Sequence, residues 1–272
     1  MTLVVIGVSL AALGGLLYWQ LVLAEGVYLG QGMVTLLYDR VAPRYDSIKG
    51  YDPQAEDLIL GRPVATMLGH VGTPLILDVG TGTGRVIAAV MQQPDFQGHA
   101  LGIDPSAPML EKAWEKLRVY EPRVTLMRKT GDNLPFPDGA FDAIILVEML
   151  EFTPSPAAQI AEAVRVLRPG GLVITSRRRG AGAAMMPGKV HSKAGFERML
   201  TGAGLAEVRI FPWQVDYDLV WALKPGSQPK PSHRVEDVLQ CPCCSRTGML
   251  REGDDLRCAH CDTIRTGPII EY

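Results

Sequence analysis

The order of apolar and polar positions divides the chain into three regimes. Residues 3–23 are an apolar run without a charge, interrupted only by Ser9 and Gln20 and by the amphipathic pair Tyr18 and Trp19 near its end. As a helix at ~1.5 Å per residue it spans about 31 Å, close to the ~30 Å hydrocarbon core of a bilayer. From residue 75 to about 223, short apolar runs alternate with amphipathic stretches. Residues 75–79, 100–103, 124–127, 143–147 and 172–175 read as buried strands. Residues 85–93, 108–119 and 156–167 read as helices, with Ile160, Val164 and Leu167 at helical spacing in the last. Such alternation predicts an α/β fold, a parallel, doubly wound sheet with right-handed crossovers. Residues 193–201 then read as a helix, and 207–211 and 217–223 as closing strands. Residues 225–232, PGSQPKPS, open a linker expected over 225–237, and a cysteine-rich tail follows.

The segment between the apolar run and the first strand contains Tyr38-Asp39 and Tyr45-Asp46, then an amphipathic stretch broken at Pro63. It reads as capping helices over the sheet's edge or its ligand mouth. Residues 1–25 read as a transmembrane anchor, with Tyr18 and Trp19 at the level of an aromatic belt. Arg40, Arg44 and Lys49 follow the run and no Lys or Arg precedes it, which favours a single-pass orientation with the body in the cytoplasm of a bacterial cell. The competing reading, a cleaved signal peptide, wants a basic n-region, a shorter apolar core and an A-x-A site. Gly7, Ala11 and Gly15 recur every four residues on one helical face, a pattern that lets two anchors pack closely.

A charged fraction of 21% excludes a disordered or collagen-like chain, and a net charge of −2 argues against a duplex-DNA binder. All five cysteines fall between residues 241 and 261. That clustering excludes a disulfide-stapled secreted scaffold and points to a local metal site.

The most informative stretch is LILDVGTGTGR, residues 75–85: an apolar strand carrying Asp78, then Gly80, Gly82 and Gly84 at alternate positions, then a helix. Glycines let the backbone turn sharply and approach a ligand that helix N-terminal amides face. The dinucleotide fingerprint G-x-G-x-x-G fails in either register, because Arg85 or Ile87 takes the third glycine position. Asp104 ends the next strand, 24 residues beyond Gly80, where a carboxylate can accept ribose hydroxyls. Asp132, after the third strand, can accept an adenine amine. Three acids at successive strand ends suggest one adenosine ligand.

DVGTGTG, GIDPS, GDNLPFPDGAFDAIILVEML and RVLRPGG together resemble class I S-adenosylmethionine-dependent methyltransferases, in the branch of the ubiquinone and menaquinone biosynthesis enzymes. The resemblance runs from YDRVAPRYD at residue 38 to about residue 223, and it implies a Rossmann-like methyltransferase domain over 26–224. It further implies that Asp78, Gly80 and Gly82 surround the methionine part of S-adenosylmethionine (AdoMet), with Thr81 and Gly84 in the same loop. Asp104, with Pro105 beside it, would hold the ribose, and Asp132 and Asn133 the adenine. Val147 and Glu148 would line the sulfonium side, and Tyr45 would close over the cofactor. The chain departs from the family in having Glu148-Met149-Leu150-Glu151 where His or Asn is common.

Methyl transfer is an in-line displacement, so positioning supplies much of the catalysis, and a base is needed only for a protonated nucleophile. Glu148, Glu151 and His191 are the candidate bases, placed on loops at the strand C-terminal rim. Arg177-Arg178-Arg179, Lys189 and Lys193 form a basic stretch that would meet anionic headgroups or an acidic substrate. Cys241-x-x-Cys244 and Cys258-x-x-Cys261, thirteen residues apart, form a zinc-ribbon pattern over 238–272, four thiolates for a structural Zn2+, with Cys243 and His260 as substitutes. Four arginines against five acids in this tail give no electrostatic footprint for RNA. The expected function is methylation of a lipophilic small molecule, a quinone precursor or lipid, at a membrane to which residues 3–23 attach. Alternatives are an RNA or protein methyltransferase that recognises its substrate through the ribbon, and a non-catalytic AdoMet-binding scaffold. A protein partner or a dimer through the anchor or ribbon stays open.

Overall fold

The computed structural model describes residues 2–227, 234–253 and 255–272, so the middle of the expected linker, 228–233, lies outside the described residues. Eleven strands are found among them: β1 (Leu75–Val79), β2 (His99–Asp104), β3 (Val124–Arg128), β4 (Phe141–Leu146), β5 (Leu167–Arg178), β6 (Ala206–Pro212), β7 (Tyr217–Leu223), β8 (Met249–Glu252), β9 (Asp255–Cys258), β10 (Ile264–Arg265) and β11 (Ile269–Glu271). The main sheet runs β11-β3-β2-β1-β4-β5-β7-β6. Its pairings are parallel from β11 through β5, and β7 enters antiparallel between β5 and β6. The chain therefore has the α/β, Rossmann-like sheet that its hydrophobic pattern predicts.

Strands β1 and β4 are buried along their whole length, which is why they read as continuous apolar runs. Their side chains still alternate. Leu75, Leu77 and Val79 join one core layer with Leu101, Ile103, Ile144 and Leu146, whereas Ile76, Ala143 and Ile145 face the other. Helices α3 (Arg85–Met91) and α4 (Ala107–Leu117) cover the second layer, and α5 (Pro156–Val166) and α6 (Lys193–Gly202) the first, where α1 (Thr2–Tyr18) and α2 (Gln31–Val41) precede them in the chain. Ser106 and Ser155 cap α4 and α5 by accepting the Met109 and Ala158 amides, each with proline in the first turn. The interruption expected near Pro63 takes the form of a π-turn at Asp57–Gly61, which leads into the helix Arg62–Leu68 with the proline in its first turn.

Asp142 explains two of the sequence motifs at once. It is wholly buried, and it accepts the Leu75 amide at 2.7 Å and Arg168 Nε at 2.5 Å. One carboxylate thus ties the starts of β1, β4 and β5 together, a pair whose half-removal costs about 3–5 kcal/mol.

Helix α1 continues as a π-turn, Trp19–Leu23, and stands clear of the body: Val4 is 70% exposed, Leu10 64% and Leu16 56%. The span Val4–Leu23 is long and apolar enough to cross a membrane by length and composition.

The cysteine tail is not a module hung on a tether, as the expected boundary at residue 238 implied. Its small sheet, β10-β9-β8, rests on the main core through Val235, Val238, Leu239, Met249 and Leu256. Arg251 pairs with Glu236 and donates to Thr125 Oγ1 of β3 at 3.0 Å. Beyond it, β11 adds to β3 with Ile269 beside Leu126, and so covers an edge whose amides and carbonyls would otherwise be open. The opposite edge is β6. There Glu207 takes a left-handed φ of +51°, the register slips between Ala206 and Arg209, and the strand ends at Pro212.

Candidate active site

Strand order reverses between β1 and β4, and ligands in open α/β sheets bind outside the strand carboxyl ends at such a point. A cavity lies there, with about 940 Å³ of empty space when its open mouth is included. The glycine loop forms its floor. Gly80, Gly82 and Gly84 have φ of +71°, +52° and +76°, which favours glycine at each. Their surroundings differ. A Cβ at Gly82 would meet nothing within 4 Å, whereas one at Gly84 would lie 2.6 Å from Leu117 Cδ1. Gly82 faces the cavity; Gly84 packs against α4 and does not line it.

Asp78 and Asp104 both reach the cavity. Asp78 accepts Thr81 Oγ1 at 2.7 Å, and Asp104 accepts the Gly82 and Ser106 amides, each at 2.9 Å. Burial pushes both carboxyls up to about 6, against the hydrogen bonds that pull them down. Thr81, Gly80, Pro105, Val147 and Tyr45 also line the wall. Asp132 and Asn133 do not. Both are exposed, and the wall at that point is Lys129, Thr130 and Gly131.

The two Tyr-Asp pairs of the cap repeat one device. Asp39 accepts Ser106 Oγ at 2.5 Å, and Asp46 accepts Thr83 Oγ1 at 2.5 Å and Lys116 Nζ at 2.9 Å. Each acid pins the cap to a loop of the sheet while its tyrosine neighbour faces the cavity. Tyr38 stacks edge-on to Phe152 at 5.7 Å and tilts against Tyr45 at 5.8 Å, and Tyr45 lies 6.3 Å from Tyr51. Burial raises all three phenol pKa values, so these rings are neutral hydroxyl-bearing walls at physiological pH.

Glu148 lies in the cavity wall, but its carboxylate is already engaged. It accepts Arg85 Nη2 at 2.6 Å, Gln214 Nε2 at 3.0 Å, Lys49 Nζ at 3.2 Å and Tyr51 OH at 3.5 Å. Arg85 in turn holds Glu56 at 2.7 Å and lies over the Tyr51 ring at 4.0 Å. These are a clamp's surroundings, since a base needs a free lone pair facing substrate. Glu151 and His191 are outside the cavity altogether. They line a separate small cleft with Arg177 and Lys189. Glu151 is buried, which raises its pKa, and it accepts Tyr217 OH at 2.6 Å.

The arginine triplet does not form the expected free basic rim. Arg177 and Arg179 pair with Asp218 at 2.5 Å and 3.5 Å, and Arg178 pairs with Glu25 at 2.8 Å. Arg85, Lys49, Tyr51, Asp39, Asp46 and Ser106 were not singled out from the sequence as site residues. The Tyr-Asp repetition was the available signal for two of them. Arg85 stood in view only as the residue spoiling a glycine pattern.

The four thiols of Cys241, Cys244, Cys258 and Cys261 lie within 4.8 Å of one another. Cys241 and Cys261 are 3.6 Å apart and Cys244 and Cys258 3.7 Å. A tetrahedron with Zn–S bonds of ~2.3 Å has edges of about 3.8 Å. The amides of Cys243 and His260 point at the sulfurs of Cys241 and Cys258, each at 3.4 Å. The donor set and its spacing fit zinc. Cys243 is exposed and stands outside the cluster.

Residues 77–175 match a family model described as a methyltransferase domain. The chain is 34% identical over 139 residues to a demethylmenaquinone methyltransferase of Tropheryma whipplei, covering 51% of this chain and 56% of that one. It is 31% identical over 156 residues to a ubiquinone/menaquinone biosynthesis C-methyltransferase, UbiE, of Desulfotalea psychrophila, covering 57% and 62%. Over these residues the chain is similar to class I S-adenosylmethionine-dependent methyltransferases of the ubiquinone and menaquinone branch. It spans somewhat over half the length of these curated relatives. A solved [4+2]-cyclase, SpnF, shares the fold at a TM-score of 0.60 and 22% identity, covering 73% of this chain and 97% of that one. A methyltransferase domain of this shape therefore fixes the architecture, and the chemistry has to be argued from the site.

Replacing Glu148 tests the clamp. Glu148→Ala is expected to lower unfolding stability by about 3–5 kcal/mol in urea titrations, because Arg85 and Lys49 lose their shared buried partner. Stability equal to the parent chain, with activity alone lost, would instead mark Glu148 as a base.

Proposed function

We propose that the protein transfers a methyl group from AdoMet to a lipophilic small molecule, a quinone precursor or lipid, at the cytoplasmic face of a bacterial membrane. The observation that carries this reading is the convergence of Asp78, Asp104 and the open side of Gly82 on one aromatic-roofed cavity. An apolar helix is rooted beside it. The two relatives, a demethylmenaquinone methyltransferase and a ubiquinone/menaquinone biosynthesis C-methyltransferase, support the lipophilic acceptor.

In this reading Asp104 accepts the ribose hydroxyls, with Pro105 against the same sugar. Gly80, Thr81, Gly82 and Asp78 face the methionine part. Gly84 keeps the loop's shape by its fit against Leu117. The adenine lies along Lys129–Gly131, and Asp132 and Asn133 stand at the outer rim of that side. When bound, AdoMet supplies a methyl carbon already activated on a sulfonium. The chain's own residues position, desolvate and stabilise. Val147 and the faces of Tyr38, Tyr45 and Phe152 exclude water and favour a cationic centre. The Asp39 and Asp46 pins and the Glu148 clamp keep the cap shut around the reactants. Since the three phenols hold their protons, none of them serves as the base; the acceptor supplies the nucleophile, and any proton it gives up as the methyl bond forms leaves to water at the open mouth of the cavity. Cys241, Cys244, Cys258 and Cys261 hold a structural zinc that stabilises the ribbon and, through β11, the β3 edge.

Three outcomes test these assignments. With radiolabelled AdoMet, label should pass to extracted lipids and not to total RNA or protein; label on RNA or protein would replace the lipophilic acceptor with the ribbon-directed alternative. Calorimetry should show AdoMet affinity weakening as pH falls through about 6, because the ribose hydroxyls bind the ionised Asp104. The folded-state pKa is raised above the unfolded one. The cofactor-free fold therefore gains stability as pH falls through the same window, opposite in sign to binding. An affinity unchanged between pH 5 and pH 7 removes Asp104 from the site. The purified chain should carry about one equivalent of zinc. Chelation should speed hydrogen exchange in residues 249–258 and 269–271 and in β3 together, with β1 unaffected.

A further inference from the structure

The apolar helix does not simply lead away from the body; its last turn is seated next to the cavity. Trp19 Nε1 donates to the Met185 carbonyl at 3.0 Å, and its ring stacks on Tyr28, whose hydroxyl donates to the Pro187 carbonyl at 2.6 Å. Ala24, Val27 and Met186 are buried together, with Trp19 and Phe152 packed on them. Phe152 is also a wall residue of the cavity. One apolar cluster therefore joins the root of the helix to the ligand site.

The other side of the turn meets α2. Gly26 has φ +74°, and a Cβ there would lie 2.9 Å from Leu37 Cδ1 and 3.1 Å from Met33 Cγ. Helix α2 thus turns Met33 and Leu37 to the root of the apolar helix and Val34 and Tyr38 to the cavity. It is a partition one helix thick. Leu36, on the outer side next to Met33 and Leu37, is 42% exposed, and Leu29 in the turn is 52% exposed. Arg40, one turn beyond Leu36, is exposed as well. Glu25, the first charge after the apolar run, is not offered to solvent alone: Arg178 and Tyr38 hold it at 2.8 Å and 2.9 Å.

We infer that residues 24–30 and the exposed Leu36 side of α2 are seated in the lipid headgroup layer, which holds the cavity one helix away from the bilayer. A helix spanning the hydrocarbon core from residue 4 to residue 23 leaves the following turn at the interface by length alone. There Leu29 and Leu36 enter the acyl boundary and Arg40 reaches the phosphates. The internal pairing of Glu25 removes the charge that would resist such seating. The inference rests on the membrane-bound reading above, and the experiment separates the two.

Full-length Leu29→Trp, Leu36→Trp and Val119→Trp chains are bound to vesicles of phosphatidylcholine and phosphatidylglycerol with brominated or ordinary acyl chains. Val119 is the control, 75% exposed and following α4 at the far end of the sheet. After subtraction of the parent chain's emission, the added fluorescence at positions 29 and 36 should fall about twofold in brominated vesicles, as expected for side chains ~5–10 Å below the headgroups. At position 119 it should not change. If the parent chain floats with vesicles but positions 29 and 36 behave like 119, the seating is wrong while the anchor stands. If the parent chain does not float with vesicles, anchor and seating fall together.

Discussion

A single carboxylate, that of Glu148, holds the cavity in the shape described. It sits where β4 ends and receives Arg85 from the glycine-loop helix, Lys49 and Tyr51 from the cap, and Gln214 from the turn before β7. Four separate parts of the chain thus share one buried charge. The arrangement demands a left-handed backbone at a residue that is not glycine, φ +54°. Such a conformation persists only when its surroundings over-determine it. Here the Ser176 hydroxyl on the Glu148 amide and the four side-chain donors do so.

Much of the sheet was legible because burial writes itself as uninterrupted apolar runs, and the glycine loop because its spacing has few other uses. What escaped the sequence had a different physical character. Asp132 looked like a third convergent acid because it comes at the carboxyl end of a strand, but Asp78 and Asp104 lie within their strands whereas Asp132 lies beyond β3, where the Gly131 turn carries it outward. Glu151 and His191 follow strands too, and the same reasoning put them at the ligand rim, whereas they line a separate cleft. Arg85 is the opposite case: one arginine among many in sequence, and in space the partner of two carboxylates and two aromatic rings. Pairings between residues some sixty positions apart leave no periodicity to read.

The tail shows the same limit on a larger scale. The paired C-x-x-C pattern announced a local thiol cluster, and the four sulfurs do lie together. Nothing in that spacing announced that Ile269–Glu271 would become a strand of the main sheet. A boundary drawn at a proline-rich linker records where the chain is polar, not where the core stops. Val235, Leu239 and Leu256 belong to the same apolar layer as the strands on which they rest.

The β6 edge of the main sheet is built to refuse a partner. The left-handed Glu207 breaks its ladder near the start, alternate side chains such as Arg209 are polar, and Pro212 removes a donor at its end. A second molecule is therefore hindered from adding a strand along β6. The apolar side chains exposed along the protruding helix at residues 4–23 have no such defence, and detergent or lipid is what should keep that part of the chain in solution.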